Sequence, residues 1–146
     1  YSAMHQAPSI RMSNYYEDVN GNEQLRPMER ADFENCIIYG KIESEIGIEE
    51  TENTTFNYKF NNCLIKLIES DYDISNTTHF SNNIINENPE FIQTMDLFEY
   101  NYELDTLSAA QNSAASNIAL QFPYDLNGNY RFTDGSPDIG AYERIE

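Results

Sequence analysis

The sequence predicts an all-β fold wound as a parallel β-helix, a solenoid of short stacked strands, on three observations. The first is internal repetition. Phe33-Glu-Asn-Cys-Ile-Ile38, Phe60-Asn-Asn-Cys-Leu-Ile65 and Phe80-Ser-Asn-Asn-Ile-Ile85 share the pattern Phe-x-Asn-(Cys/Asn)-aliphatic-Ile. Their Phe-to-Phe steps of 27 and 20 residues suit one coil of a solenoid. The second is apolar–polar alternation in Pro8-Ser-Ile-Arg-Met-Ser-Asn14 and Glu45-Ile-Gly-Ile-Glu49, the period of a strand. The third is composition: asparagine, β-branched and aromatic residues abound, with 11 tyrosines, which favours strands and tight turns over helices. Leucine-rich repeats have similar lengths, but their L-x-x-L-x-L frame is absent.

In chain order, residues 8–14 read as a strand, 15–30 as a projecting polar loop, and 31–40 as the strand pair completing that coil. Glu45–Glu49 opens a second coil, with 51–55 as its loop and 57–68 as its remaining strands. Residues 69–77 are an acidic loop, and 78–85 begin a third coil. Stacking sets like residues about 4.8 Å apart. Phe33, Phe60 and Phe80 are then expected to form an internal aromatic stack. Asn35, Asn62 and Asn82 would form a corner ladder, since Asn tolerates the left-handed conformation and its amide can bond the next coil. Cys36 and Cys63 fall in register as small buried residues. Residues 1–86 are thus read as about three coils, and 87–146 as a C-terminal capping segment.

The charge narrows the classes of partner. Eight basic against 25 acidic residues give a formal charge of −17, a field that repels phosphate backbones and anionic membranes, so no nucleic acid is expected. No apolar run reaches the roughly 18 residues of a membrane span, and no secretory leader is visible. The cysteines lack CxxC spacing and a neighbouring histidine, so zinc is unsupported.

The end of the chain carries a longer pattern. Asp125, Gly128 and Arg131 fit D-x-x-G-x-x-R, and Asp138-Ile-Gly-Ala-Tyr-Glu143 reads D-I-G-A-Y-E without mismatch. This resembles the C-terminal signature of bacterial surface proteins of the choice-of-anchor Q type, built on the right-handed parallel β-helix (a pectate-lyase-like solenoid). Asn86-Glu-Asn-Pro-Glu-Phe91 resembles the family's N-x-D-P-x-F passage. Tyr102, Leu104 and Ser108 resemble its Y-x-L-x-x-x-S segment, after which Ala109-Ala110-Gln111-Asn112 departs from Pro-Ala-Ile-Asp. A short helical turn within 109–120 would suit that departure. The resemblance spans roughly residues 30–143. It implies a right-handed helix, a cap using Asp125, Gly128, Arg131, Asp138, Gly140, Tyr142 and Glu143, and a place on the outer surface of a Gram-negative, Bacteroidetes-type bacterium or outside it. Phe122, Leu126, Phe132, Ile139 and Tyr142 are expected to cover the last coil. Arg131 is expected to pair with Asp138 or Glu143. No comparable cap stands at the other end, so further coils are expected before Tyr1, in the same or a cleaved chain.

Candidates for chemistry are few. Asp18-Val-Asn-Gly-Asn22 and Asp125-Leu-Asn-Gly-Asn129 both begin like calcium loops, with oxygen donors at alternate positions, and Glu29 stands twelfth in the first. The sixth-position glycine is Glu23 or Tyr130, however, and Asn-Gly is a strong turn signal. The strings therefore read first as turns, with calcium through Asp18, Asn20, Asn22 and Glu29 the only cofactor offered. The run Glu69-Ser-Asp-Tyr-Asp73 offers Glu69, Asp71 and Asp73 to a sugar or cation. Lys41, Lys59 and Lys66 are scattered, unlike the clustered Asp, Lys and Arg of β-helix lyases. Glycosidases need a carboxylate pair, which so acidic a chain would contain by chance. His5 and His79 lack a nucleophile context. Asn53-Thr-Thr55 and Asn76-Thr-Thr78 match the N-glycosylation acceptor, and Asp105-Thr106-Leu107 an O-glycosylation acceptor of secreted Bacteroidetes-type proteins.

These readings lead to a secreted or outer-surface protein, non-catalytic, whose loops bind a glycan or another surface protein. The alternatives are a polysaccharide lyase or hydrolase with catalytic coils upstream, and a structural subunit of an outer-membrane complex.

Overall fold

The computed structural model describes residues 7–94 and 99–145. Its strands, in order, are β1 (Ile10–Ser13), β2 (Tyr15–Glu17), β3 (Glu23–Leu25), β4 (Met28–Glu34), β5 (Ile37–Ile38), β6 (Ile46–Glu49), β7 (Phe56–Asn61), β8 (Leu64–Ile65), β9 (Phe80–Ser81), β10 (Ile84–Ile85), β11 (Phe91–Gln93) and β12 (Asn101–Leu104). One short helix, α1, spans Ser116–Ala119, inside the stretch where a helical turn is expected.

Each Phe-x-Asn segment is a strand, a corner and a second strand. The corner asparagines Asn35, Asn62 and Asn82 hold φ values of 52°, 50° and 54°, the left-handed region that asparagine enters more readily than most residues. Parallel pairing sets Phe33 beside Phe60 and Phe60 beside Phe80, and Ile38 and Ile85 on either side of Ile65. The rings of Phe33 and Phe60 stack at 4.8 Å and 14°, those of Phe60 and Phe80 at 5.6 Å and 16°.

Beyond these local pairings, the expected right-handed parallel β-helix is overturned. The described strands form five separate sheets, three of two strands and two of three, none closed and none continuing as a solenoid wall. The β2–β3 and β11–β12 sheets are antiparallel. The parallel β1–β6 sheet stops at two strands, because the chain that would supply a third is the acidic run after Leu67. There Glu69–Asp71 makes a short 3-10 turn, Asp73 Oδ1 accepts from Ser75 N, and Asn76 Oδ1 from Thr78 N. Asp and Asn side chains that bond nearby backbone compete with sheet ladders. The polar stretch 15–30 is likewise more than a loop, since it folds into the β2–β3 hairpin and the start of β4.

Strand alternation creates two cores. Ile38, Ile65 and Ile85 pack with Met12, Ile46, Phe60, Cys63, Leu67 and Phe80. Their neighbours Ile37, Leu64 and Ile84 point to the opposite face, into a second cluster with Leu104, Ala110 and Ile139. This corrects the expected cap. The C-terminal segment lies along the outer face of the β5–β8–β10 sheet rather than over the last repeat. Gly140 N donates to Asn35 O at 3.0 Å, which docks it beside the first repeat, and within the segment Ile139 N donates to Ala110 O at 2.9 Å. Of the five residues expected to do the covering, Ile139 is buried while Phe122 and Leu126 are exposed. The outward aliphatic row needs cover more than the strand ends do, and that decides where the segment sits.

A candidate ligand-binding groove lined by tyrosines

After Asn86 the chain leaves the repeats and forms the β11–β12 hairpin, pairing Phe91 with Leu104 and Gln93 with Asn101. Alternation along β12 sends Leu104 into the second core, 2 % exposed, and sets Tyr102 and Tyr100 on the same side further out. Both remain half exposed, at 48 % and 55 %. Their rings stack at 5.9 Å and 10°, and Tyr102 meets Phe91 edge-on at 5.2 Å and 88°. On the other side Glu103 accepts from Asn127 Nδ2 at 2.6 Å and from Asn101 Nδ2 at 3.2 Å. The bond from Asn127 ties the hairpin to the C-terminal segment.

Opposite stands Tyr39, just past β5. Lys66 Nζ lies 5.2 Å from its ring centroid and donates to Gly40 O at 2.9 Å, a cation–π contact that holds the ring. Between Tyr39 and the hairpin lies a hollow of about 680 Å³, walled by Tyr39, Phe91, Tyr100 and Tyr102 and edged by Lys41, Asn88, Glu90 and Thr94. A second hollow of about 360 Å³ shares Tyr39, Phe91 and Tyr102 and runs on toward Leu126 and Tyr142. Together they make an aromatic-walled groove with a polar margin, in the size range of small-molecule sites.

The acidic run is partly drawn together. Asp71 and Asp73 edge a separate hollow of about 280 Å³ with Glu50, Tyr58, Tyr72 and His79, while Glu69 turns away to accept from Asn86 Nδ2 at 3.2 Å. His79 is a packing residue here. Its ring stacks on Tyr58 at 4.1 Å, and its Nδ1 lies 2.9 Å from Tyr58 O. Burial, with Glu50 and Tyr72 nearby, pushes the Tyr58 hydroxyl up to about 12. His5 lies outside the described residues.

The two Asp-x-Asn-Gly-Asn strings fold alike. Asp18 Oδ1 accepts from the amides of Asn22 and Asn20, both at 2.9 Å, and those bonds hold its carboxyl below the usual range. Asp125 Oδ1 accepts from Asn129 N at 2.7 Å, and its Oδ2 from Glu143 N at 2.9 Å. Gly21 and Gly128 sit at φ 78° and 85°, as such turns require. Turn amides thus bond Asp18 Oδ1 and Asp125 Oδ1, while Asp18 Oδ2 accepts from the side chains of Asn22 and Gln24. Asn20 and Asn22 belong to the hairpin turn, whereas Glu29 lies beyond it on β4, exposed. Among the described residues no three His, Cys, Asp or Glu side chains gather as metal ligands.

The C-terminal motif forms a buried polar knot. Arg131 donates to Gly140 O at 2.9 Å and, at a longer 3.4 Å, to Glu143 Oε2. Asp138 instead receives the amides of Asn112 and Arg144, at 2.7 and 2.8 Å. Glu143 is 5 % exposed, and its Oε1 has no hydrogen-bond partner. Burial pushes its carboxyl up to about 7 and raises that of Asp138. Burial acts on Asp125 too, but the amides of Glu143 and Asn129 outweigh it and hold that carboxyl low.

Sequence reasoning missed the groove. Tyr100 and Tyr102 sit in a stretch matched to a family segment, and Tyr39 stands out in no pattern. The available signal was two tyrosines at i and i+2 on one strand, too much aromatic surface for the outer part of a hairpin. No protein-family model, curated protein or solved structure matches the chain.

Proposed function

We propose that the protein is a non-catalytic binding module of a secreted or outer-surface protein, and that it takes a neutral glycan in the tyrosine groove. The observation that carries this is the pair of half-exposed, stacked rings of Tyr100 and Tyr102 facing Tyr39 across a hollow of about 680 Å³. An aromatic face is the negative end of a quadrupole and attracts the polarised C–H groups of a pyranose. The amide, hydroxyl, ammonium and carboxylate groups of Asn88, Thr94, Lys41 and Glu90 on the margin suit its hydroxyls. A charge of −17 disfavours uronic-acid and sulfated polymers. The resemblance of the C-terminal motif to surface proteins supports the location. No helix among the described residues is long and apolar enough to cross a membrane.

Titration calorimetry against a panel of neutral oligosaccharides tests the reading. The wild-type protein should bind at least one of them. Tyr100→Ala and Tyr102→Ala should each weaken that binding roughly tenfold, about 1.4 kcal/mol, with the fold intact by circular dichroism. Binding unaffected by both substitutions, or detected only for acidic sugars, would overturn it.

A further inference from the structure

The two cysteines occupy equivalent places in adjacent repeats, each directly after a left-handed asparagine corner. The backbones on either side are paired: Asn35 N donates to Asn61 O at 3.2 Å, and Leu64 N to Cys36 O at 2.9 Å. Parallel register on both sides, Glu34 with Asn61 and Ile37 with Leu64, thus sets Cys36 beside Cys63, and the strand spacing of about 4.8 Å falls within the Cα separations a disulfide spans. Cys63 Sγ lies 3.3 Å from Phe33 O, reaching back into the first repeat. Both thiols are free, and they are not equally accessible. Cys63 is wholly buried, whereas Cys36 is half-buried and lines a hollow of about 380 Å³ walled by Phe33, Ile118, Phe122 and Arg131.

We propose that Cys36 and Cys63 form a dithiol–disulfide latch, in which Cys36 is the attacking thiol and Cys63 the resolving one, the oxidant being a small-molecule disulfide of the glutathione class. The Cys36 thiolate attacks one sulfur of the external disulfide, forming a mixed disulfide and releasing one thiolate. Cys63 sulfur then attacks Cys36 sulfur, closing the internal bond and expelling the second thiolate. The two protons from the cysteines end on the two released thiols, so the protein loses two hydrogens and one external disulfide is reduced. Thiolate availability follows the same order. The neighbouring Cys63 thiol holds Cys36 down to about 7, while that neighbour and burial push Cys63 up. The bond would fasten the first repeat to the second by closing the chain between them, stabilising the fold by restricting the unfolded chain.

The test uses the full chain treated with oxidised glutathione, quenched with an alkylating agent and read by intact mass and peptide mapping. The expected product lacks two hydrogens, takes up no alkyl group and yields a peptide joining Cys36 to Cys63. Its melting temperature should rise by about 5–10 °C. Cys63→Ser should stop at a glutathione adduct on Cys36. Should that variant fail to fold, Cys36→Ser serves, and its buried Cys63 should resist both glutathione and alkylation while the fold is intact. Wild-type protein that keeps both thiols, or that accumulates a stable adduct on Cys36, would overturn the latch.

Discussion

At the scale of single residues, backbone conformation and close contact can be separated at two glycines. Gly128 sits at φ 85° with nothing within 4 Å of where a Cβ would stand, so only conformational strain opposes a side chain there. Gly140 combines φ 114° with Ile37 Cδ1 at 2.9 Å from that position. Gly128→Ala is expected to cost about 1 kcal/mol, and Gly140→Ala about 2–3 kcal/mol because Ile37 must also shift. Urea unfolding midpoints measure the difference, and equal losses would show that the contact with Ile37 is slack. Glu45 shows how a polar residue is made tolerable inside. It is fully buried, yet its carboxylate accepts from Ser9 Oγ at 2.6 Å, Ser9 N at 3.2 Å and Ile42 N at 3.2 Å.

At the scale of elements, the corner asparagines share a conformation but not a role. The sequence expects their amides to bond the next repeat. Instead Asn35 Nδ2 donates to Ala115 O at 3.1 Å while its Oδ1 accepts from Ala115 N at 2.8 Å, and Asn62 Nδ2 donates to Ser113 O at 3.3 Å. A repeat-to-repeat bond comes instead from Asn83, one place further on. Its Oδ1 accepts from Cys63 N at 2.9 Å and its Nδ2 donates to Phe60 O at 3.0 Å. Asn83 stands where the earlier repeats have cysteine, so a repeat that offers no thiol offers an amide instead. Glycine keeps the left-handed corner and removes the amide. Asn35→Gly should therefore cost about 1–2 kcal/mol, and Asn82→Gly, whose amide makes no such docking bond among the described residues, under about 0.5 kcal/mol. Thermal unfolding of the pair decides the point, and equal losses would mean that the bonds to Ala115 contribute nothing net.

For the molecule as a whole, stability should depend on pH through the C-terminal knot. Burial pushes Glu143 above the ordinary glutamate range to about 7, with Asp138 and Asp134 adding to the rise and the Asp138 amide and Arg131 opposing it. Its folded form binds a proton more tightly than its unfolded form. That stability is full below about pH 4.5 and is lost as pH rises through about 7. Asp138, also raised, acts in the same direction. The depressed Asp18 and Asp125 act oppositely, but only where pH falls below the ordinary aspartate range. Easing of the self-repulsion of a −17 chain on acidification adds to the trend. The melting temperature should therefore be several degrees higher at pH 5 than at pH 8, and Glu143→Gln should remove much of that difference. A flat profile, or a slope unchanged by the substitution, would show that Glu143 ionises normally in the folded chain.

The sequence by itself determined the local units: three strand–asparagine–strand repeats, the register that stacks Phe33, Phe60 and Phe80, and the two Asp-x-Asn-Gly-Asn turns. Each is written in neighbouring residues, through side-chain alternation and the few residue types that tolerate a left-handed corner. Tertiary structure alone decided how far the sheets run, where residues 109–145 lie, and that Tyr39 faces Tyr100 and Tyr102 across a hollow. The repeats did not close into the expected helix because the acidic run 69–77 satisfies its own backbone in turns rather than in a third strand beside β6. The C-terminal segment settled along the outward row of Ile37, Leu64 and Ile84 because that apolar strip needed cover. The groove arises between residues some sixty positions apart. Only packing brings such residues together, and no periodicity in the chain records it.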